Sequence, residues 1–85
     1  MNIKISLSKT EKIMALLNQY DPEGRYARSK DYRCYSYEAD TIAQNIRKNS
    51  RVETVIKYIA EMFPEIDTDS EGVKQMARYM LMSIK

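Results

Sequence analysis

The chain has 85 residues, with fourteen Lys and Arg against twelve Asp and Glu, one cysteine and no histidine. A chain this short makes one domain, 1–85, with a modest core, and a lone cysteine excludes an internal disulfide, so a reducing cytoplasm is the expected compartment. Without histidine the commonest general base and metal ligand are missing, and two glycines are too few for a glycine-rich phosphate loop. The expectation is therefore a binding protein that is not an enzyme and needs neither cofactor nor metal.

Asn2 to Leu7 alternates strictly, with Ile3, Ile5 and Leu7 on one side and Asn2, Lys4 and Ser6 on the other, which predicts a short half-buried strand. Ser8 and Glu11 have capping-box spacing and open a helix whose stripe is Ile13, Leu16, Leu17 and Tyr20, with Met14 beside it. Asp21-Pro22-Glu23-Gly24 ends it in a type I turn. In Arg25–Tyr37 the cations Arg25, Arg28, Lys30 and Arg33 are interleaved with Tyr26, Tyr32, Tyr35 and Tyr37. A second strand is predicted over Asp31–Tyr37, with Arg33, Tyr35 and Tyr37 on one face.

A second helix is expected from Glu38 to Lys48, breaking at Asn49. A third runs from Arg51 to Phe63, stopped by Pro64, on a stripe of Val52, Val55, Ile56, Ile59, Met62 and Phe63. Ser50 and Glu53 have the spacing of a capping box for that helix, and Thr68 and Glu71 for the last one. The last helix carries the stripe Val73, Met76, Ala77, Met80, Leu81 and Ile84, with Tyr79 and Met82 falling together off it. Asp67 to Gly72 imitates the start of an EF-hand calcium loop, but the twelfth position is Arg78, so an acid-rich helix start is the better reading. The fold expected is mainly α, with about four helices, a short N-terminal strand and a second strand, in a small α+β single domain.

The net charge of +2 is unevenly placed: residues 1–51 carry ten cations against six acids, and residues 52–85 four against six. A basic first part permits a polyanion partner. The ribbon Arg25, Arg28, Lys30 and Arg33 is the densest positive cluster, and tyrosines among arginines suit phosphates and unpaired bases. Tyrosine and methionine off the helix stripes (Tyr58, Tyr79 and Met82), with Tyr26 and Tyr32 of the ribbon, suit a protein contact instead. Cys34, flanked by Arg33, reads as a small buried side chain among tyrosines.

Asn2-Ile3-Lys4-Ile5-Ser6-Leu7-Ser8, followed by an amphipathic helix, resembles the first half of a ribbon-helix-helix DNA-binding protein. Asn49-Ser50-Arg51-Val52-Glu53-Thr54-Val55-Ile56 resembles the start of that family's second helix, with a long insertion between the two blocks. The resemblance implies a homodimer whose paired strands turn Asn2, Lys4 and Ser6 to the bases, with the amides near Ser50, beside Arg51, holding a phosphate. A helix-turn-helix from Ile42 through Ile59 is a further DNA-binding arrangement, though Arg47-Lys48-Asn49 lacks the glycine or small residue of that turn. The leading functional expectation is thus a nucleic-acid-binding regulator with a basic, tyrosine-rich face, its partner nucleic acid or a nucleic-acid-binding complex. The alternative is a protein-binding inhibitor or adaptor of the phage or mobile-element type. No apolar run reaches the length of a membrane span, and the N-terminus lacks the pattern of a signal peptide.

Overall fold

Ser8 starts the first helix as the spacing predicts. Its hydroxyl accepts from the Glu11 amide at 3.1 Å, and the Glu11 carboxylate accepts from the Ser8 amide at 3.2 Å, so two orphan donors of the first turn are satisfied reciprocally. The computed structural model describes residues 8–84. From this cap α1 runs over Lys9–Tyr20 and ends at Asp21, which takes the left-handed conformation (φ 54°) and donates its amide to the Leu17 carbonyl. The amide of Gly24 donates to the carbonyl of Asp21 and closes the turn. Four elements follow, a short one and three longer ones: α2 Arg25–Ser29, α3 Ser36–Asn45, α4 Val52–Met62 and α5 Glu71–Ser83.

The α+β expectation is overturned, because the described residues hold five helices and no strand. Asp31–Tyr37 is a run of turns leading into α3, with Cys34 donating to the Asp31 carbonyl and Ser36 to that of Arg33. Arg33, Tyr35 and Tyr37 do not share a face, since Tyr35 is fully buried while Arg33 and Tyr37 are exposed. The strand predicted over Asn2–Leu7 lies outside the described residues. Two caps also move. Ser50 turns its hydroxyl to the amide of Arg47 instead, leaving Arg51 as the N-cap of α4 with no side-chain cap bond. Ser70, not Thr68, caps α5 by accepting from the Val73 amide at 3.1 Å. Asp67 accepts from the Asp69 amide just before it, a local turn in the segment that imitates a calcium loop.

α1 lies between α3 and α5, and α4 closes the ring by packing on both of them. Neighbours run antiparallel. Lys9 at the start of α1 donates to the Ile46 carbonyl at the end of α3, and Lys12 donates to the Ser83 carbonyl at the end of α5. At the opposite end Tyr20 meets Ser70, hydroxyl to hydroxyl at 3.5 Å, and the ring of Tyr35 meets that of Phe63 edge-on with centroids 5.7 Å apart. Gly72 makes the α1/α5 approach possible: a Cβ there would lie 2.8 Å from Cε2 of Tyr20. The enclosed core is the sum of the apolar stripes: Ile13 and Leu17 from α1, Ile42 from α3, Val55 and Ile59 from α4, Met76 and Met80 from α5. Each large side chain so buried contributes about 1.5–3 kcal/mol.

Candidate functional site

The tyrosine-rich ribbon folds inward. Asp21 closes α1 and also opens α2: its Oδ1 accepts from the Tyr26 amide and its Oδ2 from the Ala27 amide, both at 3.0 Å. It thereby supplies the cap that Gly24, in a left-handed conformation (φ 69°) at the N-cap of α2, has no side chain to make. The Tyr35 hydroxyl donates to Asp21 Oδ1 at 2.6 Å and accepts from the amides of Glu23 and Arg25. The Tyr35 hydroxyl bond, against an opposing push from burial, then the Tyr26 and Ala27 amides, hold the Asp21 carboxyl below its usual pKa. Burial first, then the Asp21 bond, pushes the Tyr35 phenol up.

Arg25 is the centre of this cluster. Its guanidinium stacks 4.9 Å from the Tyr35 ring centroid, pairs with Glu23, pairs with Glu38 Oε2 at 2.9 Å and donates to the Cys34 carbonyl at 3.1 Å. Burial opposes its charge, but the bonds to Glu23 and Glu38 outweigh that and raise its pKa. Glu38 is buried; its other oxygen, Oε1, has no hydrogen-bond partner among the described residues. A carboxylate so placed needs the cation beside it. Cys34 is half-buried, and burial first, then the charges of Asp21 and Asp31, pushes its thiol pKa up, away from the reactive thiolate.

A second group of cations lies where the start of α1, the end of α3 and the start of α4 meet. Lys9, Arg47, Lys48 and Arg51 converge here, and residues 41–52 contain no acid. Arg47 Nη1 donates to the carbonyls of Gln44 and Ile46, and Lys9 reaches that of Ile46, so two cations cap the last turn of α3. Burial first, then the Arg47 charge, lowers the Lys9 pKa. Lys48 and Arg51 are exposed, and none of the four joins an ion pair among the described residues. Beside them the amino end of α4 lacks a side-chain cap, with Glu53 the acid of its first turn. This corner can hold an oxyanion through point charges and free amides.

A second surface runs along the seam of α1 and α5. A groove of about 210 Å³ is lined by Leu16, Gln19, Tyr20, Gln75, Met76 and Tyr79, and continues past Ala15 to Met82. Tyr79 is 54% and Met82 63% exposed, as their off-stripe positions predict. Lys12 is the charged residue lining it.

The predicted nucleic-acid residues are therefore divided. Arg25 is committed to the internal cluster; Arg28, Lys30 and Arg33 are exposed around α2 and the turns after it; Ser50 and Arg51 belong to the corner at the other end of the bundle. Asn2, Lys4 and Ser6 lie outside the described residues. Among the predicted protein contacts, Tyr26 and Tyr58 are half-buried against the core, whereas Tyr32, Tyr79 and Met82 are exposed. The Arg33 guanidinium lies 5.9 Å from the Tyr32 ring centroid. Sequence reasoning missed Lys9, Arg47 and Lys48; the acid-free run 41–52 was the signal that could have found Arg47 and Lys48, while Lys9 arrives only through the packing of α1 on α3. The described residues thus define a small helical bundle with one basic corner and one neutral, partly apolar seam. Compared with protein-family models, curated proteins and solved structures, the chain matches none. No helix among the described residues is long and apolar enough to cross a membrane.

Proposed function

We propose that this is a small non-enzymatic regulator of the cytoplasm that binds nucleic acid, docking its basic corner on the phosphate backbone. The observation that carries the reading is that Lys9 and Arg47 sit on the last turn of α3, with the exposed Lys48 and Arg51 following in the turn to the uncapped amino end of α4, and no carboxylate paired to any of them among the described residues. Cations neutralise phosphates and release counterions, while helix amides position the backbone. Arg25, the first cation of the ribbon, does not belong to this surface, because Glu23 and Glu38 occupy it.

The test is an anisotropy titration with a generic duplex and a single strand at two salt concentrations. Lys48→Ala and Arg51→Ala remove exposed charges that hold no hydrogen bond from their side chains. Each is expected to weaken binding to all sequences alike and to flatten the salt slope by roughly one unit. Arg28→Ala, at the far end, should leave the slope unchanged. Binding no tighter than about 10⁻⁴ M at moderate salt overturns the reading and favours the protein-binding inhibitor instead.

A further inference from the structure

We propose that the α1/α5 seam is a self-association surface on which a second copy of this chain packs antiparallel about a twofold axis. This pairing does not rest on the nucleic-acid reading and is distinct from the strand-paired dimer implied by the ribbon-helix-helix resemblance, because it uses the outer faces of α1 and α5, whereas α3 and α4 pack on the other side of the ring.

Two observations point to this occupant. The first is the chemistry of the seam. Tyr20, Tyr79 and Met82 stand exposed along it, Gln19 and Gln75 are polar but uncharged, and Lys12 is the charged residue that lines it. A face of this kind meets its own copy without burying like charges, and tyrosine and methionine are favoured at interface centres. The second is the electrical polarity of the bundle along the same seam. Its lower end carries Lys12, next to the basic corner. At its upper end Ser70 touches Tyr20, and the residues on either side of Ser70 are Asp69 and Glu71. Glu61, Glu65 and Asp67 extend that acidic end, all exposed, and Lys74 at 3.9 Å from Glu71 is its nearest counter-charge. A twofold axis perpendicular to the seam reverses the second copy, so the lower end of each faces the upper end of the other. Lys12 of one copy then approaches Asp69 and Glu71 of its partner, twice per dimer. A parallel pair would instead set acids against acids.

The face is two helices wide. Helices of this length run to about 20 Å, so two copies bury on the order of 1,000 Å² in total, the lower edge of specific interfaces. The association is accordingly weak and concentration-dependent.

Sedimentation velocity over a concentration series tests it, with circular dichroism confirming that each variant keeps its helices. The parent should shift from monomer to dimer as concentration rises. Tyr79→Ala and Met82→Ala, on exposed positions, should each raise the dimer dissociation constant by about tenfold or more, since each loss is felt twice in a symmetric interface. Lys12→Glu and Glu71→Lys should each weaken the dimer, while an equimolar mixture of the two variants, or both changes in one chain, should restore it. A parent that stays monomeric throughout, or self-association indifferent to Tyr79 and Met82, overturns the proposal and leaves the seam to a different protein. Failure of the mixture to recover overturns the antiparallel arrangement.

Discussion

Removing one oxygen atom from Tyr35 should cost a large share of the stability of this domain. Tyr35→Phe keeps the buried ring, its edge contact with Phe63 and its stack beneath Arg25, so the packing volume barely changes. What disappears is a hydroxyl that donates to a carboxylate at 2.6 Å and accepts from two amides at 3.1 and 3.3 Å. A bond to a charged acceptor contributes about 1.5–3 kcal/mol, and an amide stranded without a partner costs up to about 1–3 kcal/mol more, less where water reaches it. Asp21 keeps its bonds from Tyr26 and Ala27, and Glu23 is exposed, which limits the loss. The net expectation is about 2–4 kcal/mol, against roughly 5–15 kcal/mol for a typical domain. Urea denaturation followed by helical circular dichroism reads it as a lower midpoint at unchanged slope. Tyr32→Phe and Tyr37→Phe, both on exposed rings, are the controls and should match the parent. A Tyr35→Phe midpoint that also matches the parent would refute the view that this hydroxyl ties α1, α2 and α3 together.

Ser8→Ala and Ser70→Ala should each cost about 1 kcal/mol through lost N-caps, measured by the same denaturation curves. Ser50→Ala should act through the α3–α4 turn, where its hydroxyl holds the Arg47 amide, and not through helix capping. Leu81→Ala should destabilise by roughly 2–5 kcal/mol while Tyr79→Ala stays near the parent, because Leu81 is buried and Tyr79 is not; the reverse order would put the buried face of α5 a quarter turn away. Asp21 titrates below its usual value in the fold, so it stabilises the native state above its unfolded pKa near about 4, and that contribution is lost as pH falls through the folded value. Unfolding curves between about pH 5 and pH 2 should therefore show the parent weakening faster than Asp21→Asn.

The elements that were legible in the sequence are those in which one stripe decides everything. Val73, Met76, Ala77, Met80 and Leu81 recur at helical spacing and are all buried, and Tyr79 and Met82 emerge on the outside as the period requires. Ser8, with Glu11 three positions on, became the cap as the spacing predicts, while the Thr10 hydroxyl turns to Asp40. Where several short polar residues competed, spacing alone chose wrongly: Ser50 had a nearer amide at Arg47, and Ser70 was better placed than Thr68. The ribbon failed for a longer-range reason. Arg33, Tyr35 and Tyr37 alternate like a strand, yet Tyr35 is drawn inward by Asp21, fourteen positions earlier, and by Phe63, which is far along the chain. Helix α2 has too few residues for a stripe, and its cap comes from Asp21, outside any local capping pattern.

The same internal cluster decides which charges remain available for a partner. In the sequence the Arg25–Arg33 run holds four cations among tyrosines, whereas Arg47 and Lys48 look like ordinary solvated turn residues. Folding changes that ranking. Arg25 neutralises Glu38, which has no other cation within pairing distance among the described residues. At the α3–α4 corner no acid does the same. Lys9, brought there by the antiparallel packing of α1 on α3, adds a charge from residues more than thirty positions away. Phosphate affinity follows the charges left without partners after the core and its polar cluster have formed, rather than the local density of Lys and Arg along the chain. Of the ribbon's cations only Arg25 is consumed in this way, while Arg28, Lys30 and Arg33 stay exposed without an ion pair among the described residues; the docking proposed at the corner therefore rests on its uncapped helix amides as well as on its free charges.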